Sequence, residues 1–363
     1  MLLFLGAGAS KVFGIPDTKG FMAEFESEIG KSDMYIRLKE NIPAEQFDME
    51  TLMTVLHDLS MSKEVLLSSI SPHTTQFLLS QTSQIEYLCE TEEVKATCRD
   101  MLGQVKKIIR AKCIAEVSEH KEDIVQTYDK FFTAVAQRGL GAFNAGDESK
   151  MVYPILKIFT TNYDTSMETY LNARQVPFVD GTVTKYGEQV FDVNSYERGH
   201  NCELIKLHGS IHFFSHDRKI RSLHAQSEVD PSARTHLGEV YGSEFMVYPV
   251  ESSSSAEMHQ SPCIEMLYLF RDRLKSQDLW IFIGSKFRDF TLTSIINEVM
   301  MHKRRGAYPK VLHINPEAKM VNDYLAQKGY SWLAQVLKPV DKHFGDEVFK
   351  LMNTYGFDIP TSG

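Results

Sequence analysis

Short, largely apolar runs that each stop at a small or polar residue set the strongest limit on how this chain can fold. Leu2–Leu5 runs into Gly6-Ala7-Gly8-Ala9-Ser10. Ile155–Thr160 leads to Thr161-Asn162-Tyr163-Asp164, and Leu204–Leu207 to His208-Gly209. Leu279–Ile283 ends at Gly284-Ser285, and Val311–Ile314 at Asn315-Pro316. Apolar runs bounded by glycine suit strands buried on both faces, as in a parallel sheet. Helical patterns fall between them, at Thr165–Ala173, Glu265–Lys275, Leu292–Met300, Lys319–Gln327 and Asp346–Met352. Val176–Val179 reads as one further short strand. The alternation predicts an α/β fold with a Rossmann-like, doubly wound parallel sheet.

The texture changes between residues 21 and 150, where glycine and proline are sparse. Leu52, Val55, Leu56 and Leu59 recur at helical spacing. So do Cys98, Met101, Leu102, Val105 and Ile109, and then Ile124, Tyr128, Phe131 and Val135. These stripes predict amphipathic helices, one of them opened by Asp48 or Glu45. The chain therefore divides into a sheet domain made of residues 1–20 and 151–363 and a large all-helical insertion over 21–150. Residues 181–261 are irregular and rich in Gly, Ser, His and Asp, which predicts long loops or a small β-rich subregion beside the site. No internal repeat is found.

Composition narrows the function. A net charge of −9 over 363 residues argues against a dedicated nucleic-acid binder. Lys303-Arg304-Arg305 reads as a solvated helix end. No apolar run is long enough to span a membrane. The apolar opening lacks the basic segment of a signal peptide, so a cytoplasmic protein is expected. Five widely spaced cysteines, with no Cys-x-x-Cys pair, predict free thiols and no structural zinc site.

Ligands of open α/β sheets bind at the carboxyl ends of the strands. Gly, Asn, Asp, His and Ser collected at those ends point to one site. Gly6–Ser10 fits a phosphate-binding turn, but the third glycine of the dinucleotide fingerprint is missing, and a plain strand-end turn fits as well. His208, followed by Gly209, is a candidate general base near neutral pH.

Taken in order, Gly6-Ala7-Gly8-Ala9-Ser10, Gly14-Ile15-Pro16-Asp17, Thr161-Asn162-Tyr163-Asp164, Lys206-Leu207-His208-Gly209, Gly284-Ser285 and Ile314-Asn315 resemble the sirtuin family. The resemblance covers roughly residues 1–20 and 151–320. It implies NAD+ as substrate and cleavage of the nicotinamide–ribose bond. By this resemblance Gly6, Ala7, Gly8 and Ser10 would cradle the pyrophosphate. Asp17 and Asp164 would flank the nicotinamide pocket, and Asn162 would hold the ribose or the attacking water. His208 would be the base. Gly284 and Ser285 would meet phosphate or ribose, and Asn315 the adenosine ribose. No metal is implied.

Two departures matter. The four zinc cysteines of sirtuin deacylases have no counterpart, since only Cys263 lies in that region. The family's Asp-Phe-Arg is Asp17-Thr18-Lys19 here, which removes an aromatic shield from the reactive ribose and favours water as acceptor. The helical insertion is similar to that of bacterial sirtuin-like NAD hydrolases of antiviral defence. The resemblance thus implies an NAD+ glycohydrolase that releases nicotinamide and ADP-ribose and depletes NAD+ in abortive infection. It also implies gating by a homo-oligomer or by a partner such as a HerA-type ATPase, an Argonaute or a phage component. A protein deacylase or ADP-ribosyltransferase is the alternative enzyme, and a non-catalytic nucleotide-binding assembly module the alternative from another class.

Overall fold

The apolar runs build the sheet that their pattern predicts. The computed structural model describes residues 1–44, 46–61, 71–81, 91–136, 156–185, 188–198, 200, 202–216, 219–222, 243–246, 262–303 and 309–345. Its strands are β1 (Leu2–Leu5), β2 (Leu156–Thr160), β3 (Thr182–Lys185), β4 (Glu188–Phe191), β5 (Cys202–Lys206), β6 (Gly209–His216), β7 (Lys219–Ser222), β8 (Ser243–Met246), β9 (Leu279–Ile283), β10 (Lys310–Ile314) and β11 (Leu337–Val340). Six of them form a parallel sheet in the order β11-β10-β9-β1-β2-β5. Numbered along the chain, that is the doubly wound 3-2-1-4-5-6 order, with its reversal between β1 and β9. Leu3 and Leu5 of β1 join one buried cluster, while Leu2 and Phe4 join another on the opposite face. Both faces are covered, so alternation gives way to continuous apolarity.

The two central strands end against each other. Gly6 N–H donates to the Ile283 carbonyl (2.8 Å), and Gly8 N–H to the Gly284 carbonyl (3.1 Å). A Cβ on Gly8 would lie 2.7 Å from Gly284 Cα. Gly284 has φ +66°, and a Cβ there would lie 2.2 Å from the Ala9 nitrogen. Only glycine permits this approach.

The helices are α1 (Ala7–Ser10), α2 (Gly20–Ile29), α3 (Asp33–Asn41), α4 (Met49–Ser60), α5 (Pro72–Ser80), α6 (Glu92–Glu119), α7 (Lys121–Ala136), α8 (Ser166–Ala173), α9 (Cys263–Ser276), α10 (Phe290–His302), α11 (Ala318–Gln327) and α12 (Ser331–Val336). Asp48 caps α4, accepting from Thr51 N–H (3.0 Å). Glu45, the other candidate cap, lies outside the described residues. Ser71 caps α5 with Pro72 at its first turn, as fixed φ and a dispensable N–H favour. The stripes Leu52-Val55-Leu56-Leu59 and Cys98-Met101-Leu102-Val105-Ile109 are buried in the same cluster as Leu3 and Leu5. Helices α2–α7 therefore pack on one face of the sheet through a continuous core.

Four expectations need correction or completion. Val176–Val179 is not a strand: Val179 alone bridges Glu203. Gln175 sits at φ 54° and Pro177 offers no N–H, so a ladder cannot extend there. The described part of the irregular region is β-rich, with an antiparallel sheet in the order β3-β4-β7-β6-β8. The unexpected β11 contains Pro339 and lies at the sheet edge, where proline is tolerated. Lys303 is not solvated: its ammonium donates to the Gln277 carbonyl (2.9 Å) and lies 5.6 Å from the Trp280 ring centroid. Arg304, Arg305 and the helix expected at Asp346–Met352 fall outside the described residues. Among the described residues no helix is long and apolar enough to cross a membrane, and Cys98, Cys113, Cys202 and Cys263 are buried free thiols.

The contact at the reversal point makes a direct prediction. Gly284→Ala should lower unfolding stability by at least about 2 kcal/mol, from an L-residue at positive φ and a backbone clash. Chemical denaturation measures it, and an unchanged midpoint would show that the glycine contact is not tight.

Candidate functional site

A cavity of about 360 Å³ opens at the carboxyl ends of the parallel strands, above the β1/β9 reversal. That is within the size range of small-molecule sites. Gly6, Ala7, Gly8, Ser10, Asp17, Asn162, Asp164, His208, Gly284, Ser285 and Asn315 all line it. The strand ends thus bring together every residue singled out from the sequence. Met49, Glu50 and Cys113 add a wall from α4 and α6. Burial pushes the Cys113 thiol well above the ordinary range, and the nearby Asp164 charge adds to this, which keeps it protonated.

Asn162 follows β2 and is clamped from behind. Its Nδ2 donates to the Gly6 carbonyl (3.0 Å) and to Ser10 Oγ (2.9 Å). A carbonyl can only accept, so the NH2 end must face β1 and the turn. Both amide hydrogens are spent, and Oδ1 is left as an acceptor. Its backbone N–H donates to Thr160 Oγ1 (2.9 Å), which itself donates to the Leu5 carbonyl (3.1 Å). Beneath this loop lies Lys206, fully buried and paired with Glu168 (2.9 Å). Its ammonium also donates to the carbonyls of Tyr163 and Asp164. Buried charges need such saturation, and here it fixes the loop that carries Asn162. Asp164 turns its carboxylate onto Ser166 N–H (2.9 Å) and Ser166 Oγ (2.6 Å), so it shapes the wall.

His208 is buried at the exit of β5. The following Gly209 has φ +82°, and a Cβ there would meet the Phe245 carbonyl oxygen at 2.1 Å. The imidazole Nε2 lies 2.9 Å from Asp289 Oδ2. Asp289 Oδ1 accepts from Leu292 N–H (2.9 Å) and caps α10. Asp289 escaped the sequence reading. Its only signal was an aspartate three residues before the first buried position of an amphipathic helix, which reads as a cap.

At the mouth, cations are matched by acids. Lys11 pairs with Asp17 (2.9 Å), Lys286 with Glu317 (3.0 Å) and Arg288 with Asp48 (3.5 Å). Burial pushes the Asp17 carboxyl up, but the Lys11 ammonium, the Gly20 N–H and the Lys286 charge outweigh it and hold it below the usual range. The hydrogen bond and charge of Lys286 likewise hold Glu317 down. Asn315 spends its side chain on the wall: Nδ2 donates to the Ser285 carbonyl (3.0 Å), and Oδ1 accepts from Glu317 N–H (2.9 Å). The same Ser285 carbonyl takes Nε2–H of His313 (2.8 Å). His313 Nδ1 is buried with no partner among the described residues.

Residues 156–333 match the family model described as the SIR2-like domain. No curated protein matches the chain. The matched stretch carries Asn162, Asp164, His208, Gly284, Ser285 and Asn315, together with Asp289. It supports a sirtuin-like family and an NAD-related function.

The support beneath Ser285 should respond to acid. Burial pushes His313 down to about 4 from its ordinary 6.5, against the Ser285 hydrogen bond and the Asp341 charge. Between those values the unfolded chain binds the extra proton, so stability falls as pH drops through this window. The loss approaches about 3 kcal/mol by pH 4. His313→Gln keeps an N–H for Ser285 without titrating. Urea unfolding from pH 7 to pH 4 should show a flatter decline for the variant, and equal slopes would refute the assignment.

Proposed function

From the SIR2-like domain at residues 156–333, we propose that this chain is an NAD+ glycohydrolase. It cleaves the nicotinamide–ribose bond and yields nicotinamide and ADP-ribose. One observation carries the reading: Asn162 is locked amide-inward, leaving Oδ1 as an acceptor, on the same cavity as the buried imidazole of His208.

The chemistry asks for little more. Water adds to C1′ of the ribose as the C1′–N bond breaks. The bonding pair stays on the ring nitrogen, so nicotinamide leaves neutral and needs no acid. The transition state resembles an oxocarbenium ion, as in glycoside hydrolysis. Asn162 Oδ1 accepts from the water or a ribose hydroxyl, and His208 takes the proton that water loses. The diphosphate is met differently from a simple glycine cradle. The N–H groups of Gly6, Gly8 and Ala9 are already bonded to backbone carbonyls. Ser10 Oγ and the rim cations Lys11 and Lys286 supply the complement to its charge. Thr18, which lines the cavity where sirtuin deacylases place an aromatic, leaves room for water. Met49, Glu50 and Cys113 also line the cavity, and an enclosed wall suits a small acceptor.

The same reading extends to NAD+ depletion in antiphage defence, with activity held off by homo-oligomer assembly or by a partner such as a HerA-type ATPase. The family resemblance is its support. Purified protein incubated with NAD+ should release nicotinamide and ADP-ribose without any acyl-lysine peptide. Release that requires the peptide would establish a deacylase instead. His208→Ala and Asn162→Ala should each lower kcat by about 100-fold or more, and unchanged turnover would move the site elsewhere.

A further inference from the structure

The His208–Asp289 contact brings a carboxylate to the buried imidazole from an element far along the chain. A carboxylate at neutral pH only accepts hydrogen bonds. The neutral imidazole has one N–H, and the atom 2.9 Å from Asp289 Oδ2 is Nε2. The proton therefore sits on Nε2, and the lone pair on Nδ1. The second oxygen of the same carboxylate is pinned by Leu292 N–H at the start of α10 (2.9 Å). With both oxygens engaged, the carboxylate cannot swing away without uncapping the helix.

The approach to Asp289 is strained. Phe287 lies at φ 52°, a region that bulky residues avoid. The surroundings over-determine it. Phe287 N–H donates to Ser285 Oγ (3.3 Å), and its carbonyl accepts from Thr293 Oγ1 (3.0 Å). Its ring is buried against Phe282, 5.0 Å between centroids, and edge-on to His313 at 5.2 Å. A relaxed turn at Phe287 would send the next two residues in another direction. The strain is spent two residues before the carboxylate that meets His208.

We infer that Asp289 is the positioning residue of His208: through the strained Phe287 turn it holds the imidazole as the Nε2–H tautomer, so that Nδ1 is the atom that takes the proton. The inference rests on His208 being the base of the reaction proposed above. In this assignment Asp289, which also lines the cavity, acts through the histidine.

Asp289→Asn tests it. Asparagine caps helices as well as aspartate, so the thermal midpoint should hold. Its amide NH2 can donate to Nε2, which reverses the tautomer. In 15N-histidine NMR at pH 8, neutral His208 should carry its proton on Nε2 in the wild type and on Nδ1 in the variant. NAD+ turnover should fall about 100-fold or more in kcat, with KM changed less than about threefold. Asp289→Ser, which keeps a capping oxygen but no carboxylate, should give a mixture of tautomers. Nδ1–H in the wild type, or the same tautomer in all three proteins, would overturn the inference. The NMR readout does not depend on turnover. A protein without NADase activity that still shows the reversal would refute the proposed reaction and leave the Asp289–His208 relation standing.

Discussion

Backbone meeting backbone at the centre of the sheet is the constraint on which the rest of this structure depends. β1 and β9 lie side by side where the strand order reverses, and their ends must pass each other without side chains. Gly6, Gly8 and Gly284 allow it, with two N–H groups of one strand end bonded to carbonyls of the other. That contact takes up the Gly6 and Gly8 amides of the Gly6–Ser10 turn, and the Ala9 amide bonds back to the Gly6 carbonyl. It also leaves the Gly6 carbonyl and Ser10 hydroxyl in place to receive Asn162. The turn whose sequence resembles a phosphate cradle also seats the Asn162 side chain.

The remaining strand ends are tied to this centre by the same economy. Side chains of the candidate site are held by buried or half-buried neighbours. Lys206 saturates the loop carrying Asn162. Asp289 serves His208 with one oxygen and a helix with the other. His313 and Asn315 both donate to the Ser285 carbonyl. Buried polar groups are costly unless satisfied, so these bonds stabilise the fold and orient the site at once. The helices over residues 20–136 share the apolar core of one sheet face and contribute Met49, Glu50 and Cys113 to the cavity wall.

Much of this was legible in the chain. Unbroken apolar runs such as Leu2–Leu5 and Leu279–Ile283 announced strands covered on both faces, and the residues after them announced the cavity. Helical stripes such as Leu52-Val55-Leu56-Leu59 announced the packed helices. Val176–Val179 misled because a short apolar run says nothing of the left-handed Gln175 before it, and Pro177 has no N–H to give. β11 was hidden by Pro339, which is tolerable only because that strand has a single neighbour.

What the sequence by itself determined is local: which segments are strands, which are helices, and which residue types stand at their ends. Periodicity and turn chemistry are properties of neighbours in the chain, so they can be read from it. What only the tertiary structure decided is pairing across distance. The acceptor left on Asn162 depends on Gly6 and Ser10, 156 and 152 residues away. The partner of His208 is Asp289, 81 residues on, and it reaches the imidazole only through a turn strained at Phe287. Hydrogen-bond direction and proton position are fixed by which groups meet in space, and no linear pattern carries that.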